Sequence, residues 1–148
     1  MSTPLPRKLA AILSADAENF SGRMGEDEAA AFEALQIARD IIDTRILSHG
    51  GRIANTAGDG LIAEFPSVVQ AVRAAVEMQQ GLAKNSNALP FRIGLHMGDV
   101  ITHGEDLLGD GVNLAARVQA HADPGSVLVA QQVYDQMHGK VDYGFVSV

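Results

Sequence analysis

The fold is decided by the stretch Arg52-Ile-Ala-Asn-Thr-Ala-Gly-Asp-Gly-Leu-Ile-Ala-Glu-Phe65. Apolar residues alternate up to Gly58-Asp59-Gly60 and resume at Leu61, which is the pattern of two short strands joined by a tight turn. The stretch therefore predicts a β-hairpin. Its two glycines allow a turn with positive φ and leave the Asp59 carboxylate uncrowded, where a small hydrated cation could reach it. Asp-Gly is also among the commonest hairpin turns, so the tripeptide by itself favours a structural turn.

Composition and charge limit the classes of protein to which this chain can belong. Its 148 residues predict one domain, and 47% hydrophobic residues are enough for a real core. The net charge of −7 argues against nucleic-acid binding, because a phosphate backbone requires a basic face, and any phosphorylated ligand would have to bind together with metal. The lack of cysteine excludes disulfides and thiolate metal sites. No apolar run approaches the roughly 20 residues that cross a bilayer.

The ends of the chain carry predictions of their own. Pro4 and Pro6 block regular structure, so residues 1–7 are predicted to be a flexible lead-in and residues 8–148 a single domain. The first eight residues lack the long apolar core of a signal peptide, which makes the cytoplasm the expected location. The chain could still be one module of a larger protein.

Apolar periodicity predicts the other elements. Residues 9–15 form a continuous apolar run, typical of a central strand, that ends at Asp16, and a loop containing Gly22 and Gly25 follows. Helices are predicted over residues 26–48, 66–81, 112–121 and 131–138. Further strands are predicted over residues 91–101, with glycine bulges, and over 126–130 and 143–148, with a loop over 103–111. The order β, α, β, β, α, β, α, β, α, β predicts an α+β fold with a ferredoxin-like βαββαβ sheet.

Five ordered motifs run through the chain. They are Leu13-Ser-Ala-Asp16, Gly50-Gly-Arg-Ile53, Gly58-Asp-Gly-Leu-Ile-Ala-Glu-Phe65, Phe91-Arg-Ile-Gly-Leu95 and Gly109-Asp-Gly-Val-Asn-Leu-Ala-Ala-Arg117. Together they resemble the catalytic domain of the class III nucleotidyl cyclases, and the bacterial adenylate cyclase branch in particular. The resemblance covers residues 7–148. It implies the class III cyclase fold, which adds a C-terminal helix and strands to the ferredoxin-like core.

The resemblance implies a site for two divalent cations, Mg²⁺ or Mn²⁺. In the family two aspartates on adjacent strands hold the ions, and the matching residues are Asp16 and Asp59, with the backbone carbonyl of Ala17 as a further ligand. Attack of a ribose 3′-OH on the α-phosphate develops charge on the attacking and leaving oxygens, and two ions about 3.5 to 4 Å apart stabilise both. Taken alone, Asp16 would be explained more simply as an acid that caps the loop after its strand.

Asn113 and Arg117 stand four residues apart on a predicted helix and therefore project from one face. The resemblance implies that the Asn orients the ribose and that the Arg stabilises the transition-state charge on the phosphate, both acting on the partner subunit's site. A guanidinium suits this role because it donates several hydrogen bonds from a planar fork. An ordinary solvated helix face is the alternative at this spacing. Gly109-Asp110-Gly111 ahead of the helix favours the functional role, with Asp110 itself predicted to be structural.

Two positions are assigned to base recognition, and the chain departs from the family at one of them. The family's adenylate cyclases carry a Lys four residues before the second metal Asp, where this chain has Asn55, whereas Asp106, seven residues before Asn113, agrees with an adenine acceptor. The Asn55 amide could donate to adenine N1 or to guanine O6. Neither residue repels either base, so weak selectivity between ATP and GTP is expected. Asn55 could also be an ordinary strand residue.

The resemblance implies a metal-dependent purine nucleotide cyclase that converts ATP to 3′,5′-cyclic AMP and pyrophosphate, a second-messenger synthesis. It also implies a homodimer in which Asp16 and Asp59 of one chain meet the base, ribose and phosphate residues of the other. A Lys that contacts the triphosphate in the family lies beyond Val148, so the domain is expected to be short at its C-terminus. The alternative function is a degenerate cyclase module that binds nucleotide or a partner chain as a regulatory element.

Overall fold

A computed structural model describes residues 5–147. The elements follow in the order β1 (Arg7–Ala17), α1 (Phe20–Glu26), α2 (Glu28–Ser48), β2 (Arg52–Ala57), β3 (Gly60–Phe65), α3 (Val68–Ala83), β4 (Phe91–His103), β5 (Asp106–Leu108), α4 (Asp110–Ala120), β6 (Val127–Val129) and α5 (Gln131–Met137). The predicted βαββαβ core is therefore present. None of the helices within the described residues is long and apolar enough to cross a membrane.

The strands of residues 5–147 form one sheet in the order β2-β3-β1-β4-β5. These neighbours are antiparallel, and the short β6 adds to β4 in parallel. The central order β2-β3-β1-β4 is the ferredoxin-like arrangement, which confirms the predicted α+β fold class. The hairpin predicted from residues 52–65 is confirmed as β2 and β3, joined by a turn in which Gly58 has φ of +58°.

One face of the sheet carries the main core. Leu13 and Ile93 point to this face and pack with buried residues of α2 and α3, among them Ile42 and Met78. Side chains cap the starts of both helices, since the Asp27 carboxylate accepts from the Ala30 N–H and the Ser67 hydroxyl from the Gln70 N–H. The opposite face, called the α4 face below, carries a smaller core cluster that includes Ile12, Val100 and Ala115.

Helix α4 lies close to the sheet on the α4 face because glycines make room for it. A Cβ at Gly94 would clash with the backbone of Gln119, and one at Gly111 would lie 2.7 Å from the Asp99 carbonyl oxygen. The close approach lets the Ser14 hydroxyl donate to Gln119 Oε1 at 3.2 Å. The bulges predicted at the glycines of β4 are wrong, since β4 pairs with β1 from Phe91 to Ile101 without a shift in register.

Two segments predicted as loops form regular structure. Residues 20–26 form α1, and the Phe20 ring packs edge-on against Phe32 of α2 at 5.9 Å, an aromatic contact that the sequence did not predict. Residues 106–108 form β5, which pairs with the end of β4. The predicted loop over residues 103–111 is therefore a second hairpin, and its strand carries Asp106.

The ends of the chain also differ from the prediction. Arg7 already belongs to β1, and the Pro6 carbonyl accepts from the Thr102 N–H at 2.9 Å, so the lead-in does not extend to residue 7. Residues 1–4 lie outside the described part. The strand predicted over residues 143–148 is wrong for residues 143–147, which have no regular structure; the Phe145 ring instead packs edge-on against Tyr134 at 5.4 Å. Residue 148 lies outside the described residues.

Candidate active site

Asp16 and Asp59, 43 positions apart in the chain, line one open cavity of about 240 Å³ on the α4 face. Asp16 ends β1, and Asp59 sits in the turn of the neighbouring β2–β3 hairpin. The Asp59 carboxylate accepts a hydrogen bond from the Ala17 N–H at 3.2 Å, which fixes the turn against the end of β1. The structure thus brings the two predicted metal-binding carboxylates together in a cavity called the Asp16 pocket below.

The donor set of this pocket fits a hard cation that keeps most of its own water. Asp16 and Asp59 offer carboxylate oxygens, the ligands that magnesium prefers, and Mg²⁺ commonly binds one or two carboxylates plus substrate phosphates. Within residues 5–147 no group of three or more His, Asp or Glu side chains could hold a metal by itself. The contact seen at Ala17 is through its N–H, so the role of its carbonyl as a ligand stays a prediction.

Arg92 is a site residue that the sequence analysis missed. Its Nε and Nη2 donate to the two oxygens of Asp16 at 3.1 and 3.0 Å, a bidentate ion pair. Arg92 stands directly across from Asp16 in the pairing of β4 with β1. Arg92 and Asp16 are 76 positions apart, and only the register of β4 against β1 shows that they meet. The sequence alone does not provide that register. Each Asp16 oxygen therefore already accepts one hydrogen bond from a guanidinium and keeps a further lone pair.

A β-bulge turns Asn55 toward the α4 face. Residues directly opposite each other on antiparallel strands project from the same side of a sheet. Arg52 pairs with Glu64 and Asn55 pairs with Ile62, with a register shift at the intervening Ala54. Without the extra residue, the alternation of side chains would place Asn55 on the face opposite Arg52. The bulge instead lets Asn55 line the Asp16 pocket of its own chain.

Asn55 and Asp106, the two predicted base-recognition residues, lie in contact. Asn55 Nδ2 donates to Asp106 Oδ1 at 3.2 Å, although the residues are 51 positions apart and lie on the two edge strands β2 and β5. Asp106 Oδ1 also accepts from the Leu107 N–H at 2.9 Å. The pair leaves one Asn55 N–H, the Asn55 carbonyl and the second Asp106 oxygen for a ligand.

Arg52, on the same strand as Asn55, belongs to a group of charged side chains. Arg52 donates through Nε and Nη2 to Glu64 Oε1, and Lys8 lies 2.8 Å from Glu64 Oε2. Burial acts to raise the pKa of Glu64, but the hydrogen bonds and positive charges of Lys8 and Arg52 outweigh it and hold that pKa below its ordinary value. Glu64, on β3 directly across from Arg52, is therefore a charged anchor that is 12% exposed.

Asn113 and Arg117 lie on α4 and are both exposed, as their predicted roles require. Arg117 lines a second cavity of about 460 Å³, between α4 and β6, which it shares with His96 and His121. It does not line the Asp16 pocket. A single chain therefore brings Asp16, Asp59 and Asn55 together in one pocket. Asn113 and Arg117 of the same chain lie outside that pocket.

His96 lines the cavity between α4 and β6. It lies on β4, across from Ile12, and is 7% exposed. Burial lowers the pKa of His96, because the charged imidazolium loses its hydration there. Arg117 and His121 line the same cavity, so a neutral imidazole suits its surroundings.

Comparison with known proteins places the chain in a family. Residues 11–147 match the model of the adenylate and guanylate cyclase catalytic domain. A protein of Rhizobium meliloti (strain 1021) named "Putative adenylate cyclase 3" is 39% identical in an alignment of 148 positions that covers 95% of this chain and 25% of that protein. An adenylate cyclase of Streptomyces coelicolor is 31% identical over 72% of this chain and 28% of its own length. The chain thus spans about a quarter of the length of these relatives.

Solved structures agree with this placement. The crystal structure of an adenylate/guanylate cyclase/hydrolase from Silicibacter pomeroyi matches with a TM-score of 0.89 and 33% identity, covering 97% of this chain and 87% of the other. The adenylyl cyclase CyaB from P. aeruginosa matches with a TM-score of 0.80 at 20% identity, over 93% of this chain and 84% of the other, which supports the fold alone. The chain belongs to the adenylate and guanylate cyclase catalytic domain family, the class III nucleotidyl cyclases.

Proposed function

We propose that this chain is a metal-dependent purine nucleotide cyclase that converts ATP to 3′,5′-cyclic AMP and pyrophosphate. The observation that carries the proposal is the meeting of Asp16 and Asp59 in one open pocket. The relatives named adenylate cyclases support ATP as the substrate. The Asn55–Asp106 pair itself offers both donors and acceptors and so matches the edge of either purine.

Each residue has a distinct task in this reaction. Asp16 and Asp59 would hold two divalent cations, which when bound supply charge stabilisation at the attacking and leaving oxygens. Arg117 neutralises charge on the phosphate through its planar fork, and Asn113 holds the ribose so that the 3′-OH lies in line with the leaving pyrophosphate. The Asn55–Asp106 pair holds the base.

The position of α4 supports a homodimer with shared sites. Asn113 and Arg117 do not line the Asp16 pocket of their own chain, so a second copy of the chain is needed to supply them to that pocket. A closed two-fold dimer would give each chain the same role toward its partner and form two equivalent sites. The isolated monomer is then inactive.

The second candidate function is a degenerate cyclase module that binds nucleotide without turning it over. The observation that favours it is the bidentate ion pair between Arg92 and Asp16, which engages both oxygens of a predicted metal ligand and competes with a cation. The replacement of the family's base-contacting Lys by Asn55 points the same way. Such a module would act through its binding partner instead of through a product.

The two functions differ in one assay. Purified protein is incubated with ATP or GTP and with Mg²⁺ or Mn²⁺, and pyrophosphate and cyclic product are both quantified, with Asp59→Ala as the matched control. A cyclase releases the two products in equal amounts, and the Asp59→Ala protein releases neither. Intact nucleotide under both metals, together with measurable ATP binding, would support the degenerate module instead.

A further inference from the structure

Arg52 holds two distant parts of the site at once. Its Nε and Nη2 donate to Glu64 Oε1 at 2.9 and 2.7 Å, and its Nη1 donates to the backbone carbonyl of Glu105 at 2.5 Å. Glu105 lies in the turn between β4 and β5, directly before Asp106. One guanidinium therefore connects β2, β3 and the β4–β5 hairpin.

The connection spans the two edges of the sheet. In the order β2-β3-β1-β4-β5, β2 and β5 are the outermost strands and are not paired with each other. Two side-chain hydrogen bonds of β2 nevertheless reach the β4–β5 hairpin, one from Arg52 to Glu105 and one from Asn55 to Asp106. The contact between the base-recognition residues thus depends on how closely the hairpin is drawn toward β2.

The hairpin is anchored by Leu107, which is 2% exposed and packs with Ile12 and Val100, whereas the adjoining Glu105 and Asp106 lie nearer the surface. β5 has three residues, and its pairing with β4 involves the last three residues of that strand. The hydrogen bond from Asn55 to Asp106 is exposed, so by itself it contributes little to holding the hairpin near β2. The bond from Arg52 to Glu105 is exposed as well, but it is charge-assisted, and the same guanidinium is fixed on Glu64, which is 12% exposed and is also paired with Lys8.

We propose that Arg52 is a positioning residue for base recognition, which sets the spacing between Asn55 and Asp106 by pulling the Glu105 carbonyl toward the Glu64 anchor. The inference rests on the proposed role of these two residues in binding the purine. Arg52 is not needed merely to neutralise Glu64, because Lys8 already pairs with that carboxylate. A planar fork is needed to reach two acceptors in fixed directions, which a Lys at position 52 would not do.

The test compares ATP binding with tripolyphosphate binding in Arg52→Lys, both in the presence of Mn²⁺. Tripolyphosphate engages the metal and phosphate part of the site but has no base. Arg52→Lys should weaken ATP binding about fivefold to tenfold, the net value of one ordinary hydrogen bond, and leave tripolyphosphate binding and Tm unchanged. Arg39→Lys, which alters an ion pair with Asp43 on α2 far from the site, is the matched control and should change none of these.

Asn55→Ala separates failure of the inference from failure of the proposed function. If Asn55→Ala leaves ATP binding unchanged, the base assignment itself is wrong. If Asn55→Ala weakens ATP binding and Arg52→Lys does not, Arg52 is not a positioning residue. An equal loss of ATP and tripolyphosphate binding, or a fall in Tm, in Arg52→Lys would also overturn the inference, because it would show a general structural role. With both changes combined, the loss should match that of Asn55→Ala alone, since the two act through one contact.

Discussion

Replacing Arg92 by Gln should increase the affinity of the Asp16 pocket for a divalent cation. In the wild-type protein a cation that binds Asp16 competes with the two hydrogen bonds from Arg92, which are 3.1 and 3.0 Å long. The two side chains are 32% and 29% exposed, so the pair is screened by water and contributes about 1 kcal/mol. Removing that competition should tighten cation binding about fivefold. Loss of a positive charge beside the cation acts in the same direction.

The assay is a titration with Mn²⁺ in the absence of nucleotide, in which electron paramagnetic resonance measures the free ion. Arg92→Gln should shift the binding curve to lower Mn²⁺ concentration, whereas Asp16→Asn should lose the site. Arg39→Gln is the control, since it removes an i,i+4 ion pair on α2. Unchanged or weaker Mn²⁺ binding in a folded Arg92→Gln protein would refute the competition between Arg92 and the cation.

Three further predictions test other parts of the site. Asp59→Ala should reduce turnover by more than tenfold without changing the fold, because the half-exposed turn residue leaves no core cavity; retained turnover with normal product ratios would refute its role as a ligand. Asn55→Lys should raise the ratio of kcat/KM for ATP over GTP, since a donor-only ammonium suits adenine N1 and opposes guanine N1–H; an unchanged ratio would mean that Asn55 does not touch the base. The lowered pKa of buried His96 means that the unfolded state binds the proton more readily, so stability should fall as the pH drops from about 6.5 through the lower folded pKa. Urea unfolding from pH 8 to 5 should show a smaller decline in His96→Gln than in the wild type, and the exposed His103→Gln should behave as the wild type does.

The parts of the fold that local sequence dictates were predictable. Alternating apolar residues on both sides of Gly58-Asp59-Gly60 predict the hairpin of β2 and β3. The apolar periodicity of α2 and α3 predicts these helices. The meeting of Asp16 and Asp59 follows once the two motifs are placed on neighbouring strands. These features depend on short segments whose preferences agree with the final fold.

The parts that depend on tertiary register were not predictable. Arg92 reaches Asp16 because β4 pairs with β1 in one particular register, and no local pattern encodes that alignment. The bulge at Ala54, which turns Asn55, has no glycine or other turn residue to mark it. Gly94 resembles a strand interruption in sequence, whereas its actual role is to admit the backbone of α4.

Mixing two inactive variants tests whether each active site is formed by two chains. Asp59→Ala and Arg117→Ala should each be inactive alone, because every site in either homodimer lacks one half. After equal mixing and exchange, half of the dimers are mixed and each holds one intact site, so cyclic product should recover to about a quarter of the wild-type rate. Absence of any recovery, in a mixture shown to contain mixed dimers, would contradict the assignment of Asp59 and Arg117 to opposite halves of one site.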